Sequence, residues 1–426
     1  MKDTVTRKLS KEAKEQLTRV LSGKVSDASP RNIVDDVVYV IDKDKHGYGE
    51  DAVSIGKREE NGQWIHIHIS DVALFVSPDS PLDLFAQEFP RSRYLNESRT
   101  HMLPNMFCKF VALNQQQSRN GIEAVTFSAL VSDYGAVLET RISPSLIPAQ
   151  QLCPLSFYNF SVELGDGNED IVKLKSYSDM LQKCRGHSIK DIDNFCVDNN
   201  LIAQTTVDCP GFHCVREMML LSGFIAGNIA NQMKIPLGFR ENLGPVVQTY
   251  LESIPTWKAA AIQRDSTTGS IRSPNPIFYR HFAPVSSPLR KYSDLLNHMQ
   301  LRAAITNQSM IPSEQLCNLL EDAKKKETTI VDSQNKDYRL KDLLKLQREI
   351  GVNGVVVGRV ASIVNDVVSG RNSILGNIRL INYPKLIIPT KLKKASKHQN
   401  LLGTTLKFRI TELSIKQNFI ELELAK

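Results

Sequence analysis

The string VYVIDKDKHGYGEDAVSI places Asp42, Asp44, Glu50 and Asp51 close together in the chain. An apolar run ends on the first carboxylate, Gly47 and Gly49 fall in a short loop, and the chain returns on a Glu-Asp pair. Crowded anionic oxygens are costly without a cation. Mg²⁺ takes oxygen ligands in octahedral geometry and shares them with substrate phosphate. Two such ions about 4 Å apart can activate water and steady a leaving oxygen. A solvated acidic hairpin loop is the other reading of the same spacing.

A second constellation lies in FYRHFAPVSSPLRKYSDLLNHMQLR. Ser287 reads as a helix N-cap and Pro288 as the first helical residue, with Tyr292, Leu295, Leu296 and Met299 as the apolar face. That places Arg290 in the first turn. A guanidinium beside free backbone N–H groups can clamp a phosphate and stabilise charge on a scissile group, although an ordinary surface arginine fits the same position. Cys209, His213 and Cys214 in CPGFHC lack a second ligand pair at zinc spacing and read as buried cysteines flanking a helix start. Neither a phosphate-binding glycine loop nor a dinucleotide fingerprint is present, and no nucleophile triad stands out.

The elements that must carry these groups begin β-rich. Val37–Asp42, Ala52–Gly56 and Trp64–Val76 read as strands of one sheet, with an Asn61-Gly62 turn before the third. Lys2 to Leu21 reads as a polar, charged helical arm, followed by a linker to Arg31. Gln151 to Asn200 reads as loop and helix, and Phe212 to Met233 as a buried helix. A charged helical connection ends near Ile350, with Gly351 as its stop. No repeat of fixed period appears.

A chain of 426 residues suggests about three domains, and 41% hydrophobic with 23% charged residues excludes a disordered or fibrous protein. No apolar stretch is long enough for a membrane span. Seven unevenly spaced cysteines argue against a disulfide framework and for a reducing compartment. The first residues contain no apolar signal core, so an intracellular, cytoplasmic protein is expected, with a mitochondrial one as the alternative.

The formal charge is 53 − 46 = +7, and its distribution says more than its sum. From Gly351 onward, eight Lys and four Arg face four acidic residues, giving 12 − 4 = +8, so the remainder is close to neutral. Val352–Val364, Thr405–Leu413 and Ile420–Leu424 read as short strands, with Lys385, Lys391, Lys393, Lys394 and Lys397 between them. An OB-type barrel with a basic groove for single-stranded nucleic acid is the candidate; a solvated basic surface is the alternative.

From Asn32 to Ala304 the chain resembles the catalytic domain of the RNase II family of 3′→5′ exoribonucleases, with that family's RNA-binding barrel after it. The resemblance rests on six segments in the family's order: VIDKDKHGYGEDAVSI, WIHIHISDVALFV, RSRYLNESRTHMLPNMF, NGIEAVTFSALVSDYGAVLETRI, VREMMLLSGFIAGNIA and SSPLRKYSDLLNH. It implies an α+β fold: an arm over 1–31, an RNB-type catalytic domain with a mixed sheet and surrounding helices over 32–350, and the barrel over 351–426. It also implies Mg²⁺-dependent, processive hydrolysis of single-stranded RNA to nucleoside monophosphates, with Mn²⁺ as a substitute metal. A helicase or another RNA-decay protein is the further partner, and no membrane is involved.

By that resemblance Asp42 and Asp51 match metal-binding aspartates, Glu50 stands where a third is usual, and Arg290 matches the arginine facing the scissile phosphate. Glu217 matches a glutamate at the 3′ end of the channel, and Tyr94 an aromatic beside the RNA, or else a packed core tyrosine. His68 and Asp71 fall in a supporting role. The sequence departs from the pattern at Tyr48, where an aspartate is usual, at REN over Arg240–Asn242, in a short stretch from Pro245 to Tyr279, and in lacking barrels before the catalytic domain. Asp44 is the candidate substitute ligand. Two functions follow: an RNase II-type exoribonuclease, or an RNB-fold pseudoenzyme that binds RNA or acts in assembly.

Overall fold

The computed structural model describes residues 7–25, 29–42, 48–94, 99–114, 121–184, 209–240, 257–260, 282–364, 373–383, 385–393 and 403–425. Helix α1 (Lys11–Leu21) starts at Ser10, whose side chain accepts the Ala13 N–H, and its Ala13, Leu17 and Val20 are buried. The expected polar helix is therefore amphipathic, with its apolar stripe packed on α2 (Pro81–Glu88) and α3 (Asn105–Val111).

The main sheet is mixed. It contains β1 (Asn32–Ile33), β2 (Val38–Asp42), β3 (Asp51–Glu59), β4 (Gly62–Ser70), β7 (Gly121–Val131), β8 (Val137–Pro148) and β9 (Leu152–Ser156), while β5 (Arg93–Tyr94) and β6 (Arg99–Thr100) form a separate pair. The order is β1-β8-β7-β4-β3-β2-β9, with β1–β8 and β2–β9 parallel and the remaining pairs antiparallel. Alternation on β4 sends Ile65, Ile67 and Ile69 into one core with Phe127, Met218 and Ile225. Burying each such side chain contributes about 1.5–3 kcal/mol. Glycine is required at Gly62, because a Cβ there would stand 2.6 Å from the Val131 carbonyl oxygen on the neighbouring strand.

Two sequence expectations change here. The third strand stops at Ser70 rather than Val76, because the Asp71 side chain accepts the Leu74 N–H at 3.2 Å and closes a 3-10 turn over Val72–Leu74. The stretch from Gln151 holds a strand, β9, besides its loop and helices. Its LCPLS sequence carries a proline and no alternation, so only pairing with β2 reveals it.

Helices α4 (Phe157–Gly165), α5 (Glu169–Cys184) and α6 (Pro210–Met233) cover the Ile65–Ile69 face. Strands β10 (Leu237–Arg240) and β11 (Trp257–Ala260) pair antiparallel. Helix α7 (Tyr292–Ile305) and the 37-residue α8 (Ser313–Glu349) join α1, α2 and α3 in a second core. Gly351, at φ +71, stops α8 as the sequence implies.

The tail strands β12 (Val355–Val364), β13 (Ser373–Leu380), β14 (Ile387–Lys393), β15 (Thr405–Ser414) and β16 (Phe419–Leu424) run in the order β14-β13-β12-β15-β16. Strand β14 returns alongside β16, which makes a nearly closed OB-type barrel. Its core includes Val356, Val360, Ile378, Phe408 and Ile410, and Leu343 and Leu346 of α8 close it from one side. The fold is α+β. Among the described residues no helix is long and apolar enough to cross a membrane, and no two cysteines are joined in a disulfide.

Candidate active site

Strand β2 is buried along VYVI and delivers Asp42 at its end, opposite Ser156 of β9. The chain re-enters at Gly49, whose N–H donates to Asn114 Oδ1 at 2.9 Å and whose carbonyl accepts the Leu113 N–H at 2.7 Å. A Cβ on Gly49 would lie 2.6 Å from the Val40 side chain, so this return depends on glycine. Glu50 then points inward, its carbonyl accepting the Ser70 N–H at 2.9 Å, and Asp51 opens β3. Asn114 is thus a positioning residue for the acidic pair. Sequence reading missed it because a lone Asn after a helix carries no distinguishing spacing.

Arg290 reaches the same corner from far along the chain. Its Nε pairs with Glu50 Oε1, and an Nη2–H donates to Ser287 Oγ at 2.9 Å. Glu50 Oε2 accepts the Leu289 N–H at 2.9 Å. The expected helix start at Ser287-Pro288 is corrected: residues 287–290 form a turn and α7 begins at Tyr292. The cause is tertiary. Asp294 Oδ2 accepts the Ser287 N–H at 3.0 Å. The Ser92 N–H donates to the Arg290 carbonyl at 2.9 Å, and the Tyr292 N–H to the Pro90 carbonyl at 2.8 Å. Arg290 therefore sits in a turn held open by β-type pairing rather than in a first helical turn.

The corner is electrostatically unusual. Burial raises the Glu50 pKa, although Arg290 and the Leu289 N–H oppose the shift. Asp51 is pushed up to about 7, first by burial and then by the nearby Glu50 and Asp42, against the pull of Arg290. Burial works against the charge on Arg290, but Glu50, Tyr94 and Asp51 outweigh it and raise its pKa. The Arg290 side chain stays 44% exposed, while Glu50 is 5% exposed. The corner thus opens to solvent on the arginine side.

As a metal seat the donor set is thin. Both Glu50 oxygens are engaged, one by a guanidinium and one by a backbone N–H. Tyr48 turns away to bond Asn105 Oδ1 and packs against the second core, its ring 5.4 Å from that of His101. No group of three His, Cys, Asp or Glu side chains disposed to hold a metal occurs among the described residues. Asp42, at the end of β2, adds to the raised Asp51 pKa at the start of β3, and these two carboxylates are the ones that could hold a divalent cation. Asp44 lies outside the described residues, as do Glu241 and Asn242 of the REN segment.

Tyr94 stands at the edge of the corner, within electrostatic reach of Arg290 and Glu50, and its pKa is raised chiefly by burial. Glu217 is 1% exposed on α6 and pairs with Arg216, whose Nη2 lies 3.5 Å from His213 Nδ1. His213 Nε2 in turn meets Asp179 Oδ1 at 3.1 Å. His68 is buried between Ser54 and Thr126, and Asp71 between Arg31 and Arg302, both in supporting positions. Lys391 is exposed on β14 and Lys393 ends that strand, in the stretch between β12 and β15. Lys394 and Lys397 lie outside the described residues.

A family model described as RNB domain matches residues 31–268, a span that holds Asp42, Glu50, Asp51, Tyr94 and Glu217 and stops before Arg290. A Synechocystis sp. protein named as an uncharacterized ribonuclease is 24% identical over 326 residues, covering 70% of this chain and 48% of its own. The chain thus spans about half the length of that relative. The structure of Mycoplasma genitalium RNase R in complex with ribose methylated single-stranded RNA superposes with a TM-score of 0.68 at 15% identity, covering 96% of this chain and 75% of that one. Yeast Ssd1, described as a pseudonuclease, gives 0.64 at 11% identity, covering 93% and 53%. At these identities the two structures establish a shared fold.

Proposed function

The chain belongs to the RNB-domain family, that of ribonuclease II and its relatives, and from that premise we propose that it is a metal-dependent 3′→5′ exoribonuclease acting on single-stranded RNA. The observation that supports this reading is the meeting of Asp42, Glu50 and Asp51 with Arg290 at one half-open corner, although hundreds of residues separate them in sequence. Asp42 and Asp51 would hold the cation, Mg²⁺ or its substitute Mn²⁺, which when bound supplies a polarised water for attack on the terminal phosphodiester. Glu50 keeps the guanidinium in place, and the exposed edge of Arg290 takes oxygens of the scissile phosphate and steadies the charge that grows there.

In this reading the Tyr94 ring stacks on a base of the RNA, a contact worth about 1–3 kcal/mol, and Glu217 lines the 3′ end of the RNA path. Residues 32–350 then act as the catalytic domain with 1–31 as its arm. The barrel over 351–426 guides the incoming strand, drawing its backbone with Lys391, Lys393, Lys394 and Lys397.

Tyr48 favours a second reading, in which the fold binds RNA without cutting it, because its hydroxyl is committed to Asn105 and it offers no carboxylate. Incubating 5′-labelled poly(A) with the protein and Mg²⁺ separates the two. Stepwise shortening by the wild type that is lost in Asp51→Asn is the expected result. An RNA that is bound but stays intact would establish the binding reading, and shortening gained in Tyr48→Asp would identify a catalytically impaired enzyme.

A further inference from the structure

Helix α8 touches both the barrel and the segment 91–94 beside the Arg290 corner. At its barrel end, Asp342 accepts the Lys385 N–H at 3.0 Å, Arg339 Nε donates to Asn418 Oδ1 at 3.2 Å, and Leu343 and Leu346 are buried in the barrel core. One turn earlier the helix grips β5. Asp337 pairs with Arg93, Gln334 Oε1 accepts the Tyr94 N–H, and the Tyr338 hydroxyl donates to the Tyr94 carbonyl. Further back, Glu327 pairs with Arg91. Tyr338 belongs to both ends, because Lys385 Nζ of the barrel lies 5.7 Å from its ring centroid.

The gripped segment is the one that shapes the corner. Pro90 and Ser92 form the backbone pairing with Tyr292 and Arg290 that replaces the expected helical turn, and Arg91 bridges Lys291. A path of contacts therefore runs from the barrel through the Lys385–Tyr338 ring contact, by hydrogen bonds from Tyr338 and Gln334 to the Tyr94 backbone, along the chain to Ser92, and from the Ser92 N–H to the Arg290 carbonyl.

We propose that Gln334, Asp337 and Tyr338 are positioning residues, and that α8 is the strut through which the barrel sets the placement of Tyr94 and Arg290. This role rests on the ribonuclease reading for its effect on rate, but not for its structural content. None of the three residues touches the acidic cluster in any described contact, so their effect must travel through residues 90–94.

The experiment is hydrogen–deuterium exchange on the full chain carrying Gln334→Leu and Tyr338→Phe together. Faster uptake in the peptide spanning 287–292, which neither substituted residue contacts, is the expected result, with uptake across β12–β16 unchanged. RNA shortening should fall about ten-fold in kcat while KM stays within about two-fold, because placement rather than binding is lost. Wild-type uptake at 287–292 in the variant would overturn the proposal. A charge swap, Arg93→Asp with Asp337→Arg, supplies a second arm: rescue of the uptake that Asp337→Arg alone accelerates supports the strut, and no rescue counts against it. If the wild type leaves RNA intact, the ribonuclease reading fails, while the uptake at 287–292 still decides the strut.

Discussion

Arg290 shows how much one side chain depends on the shape of its charge. Its guanidinium spans Glu50 Oε1 and Ser287 Oγ while leaving an edge exposed, a fork that an ammonium cannot reproduce. Arg290→Lys should keep the charge and lose the geometry. RNA shortening is expected to fall roughly 10²-fold, the usual cost of removing one placed donor, while the affinity for a non-cleavable RNA, measured by fluorescence anisotropy, changes little. The carboxylates at this scale were readable from type and spacing. The engagement of both Glu50 oxygens was not, because the Leu289 N–H that takes one of them comes from a turn far away in sequence.

At the scale of elements, β4 carries its histidines as neutral groups. His68 is lowered to about 3 by burial, with His66 adding to the shift, and His66 itself is lowered to about 4, again chiefly by burial. Below the ordinary value of 6.5 the unfolded chain binds protons that the folded strand refuses, so stability present above that pH is lost as pH falls toward the folded values. In urea titrations, His68→Gln is expected to flatten that loss by about 1.4 kcal/mol per pH unit between roughly pH 6 and 4. An unchanged slope would show that His68 is protonated in the native strand. The strand itself was legible from its alternation, but its end was not, since Asp71 stops it with a side-chain cap.

Across the whole molecule, distant segments are tied through a few buried ionic contacts. Asp71, with no exposed surface, takes Arg31 from the start of the chain and Arg302 from α7, and burial lowers the Arg302 pKa to about 10. Removing that carboxylate takes a buried ionic partner from both arginines. Asp71→Ala is expected to cost about 3–5 kcal/mol by urea unfolding at neutral pH; a cost below about 1 kcal/mol would mean that the two arginines find other acceptors at once. At this scale α8, about 55 Å long at 1.5 Å per residue, joins a nearly neutral body to a tail that holds the whole positive excess.

The sequence by itself determined which chemistry is available. Acidic side chains around a glycine return, one arginine beside a Ser-Pro pair, alternating strands in a basic tail and a long apolar helix are local patterns, fixed by residue type and period. The tertiary structure decided which of those groups face each other. Glu50 went to Arg290 and Tyr48 to Asn105, and residues 287–290 became a turn instead of a helix start because Pro90, Ser92 and Asp294 supplied the hydrogen bonds. Pairing between remote backbones carries no period in the sequence, and for that reason it could be seen only once the chain was folded.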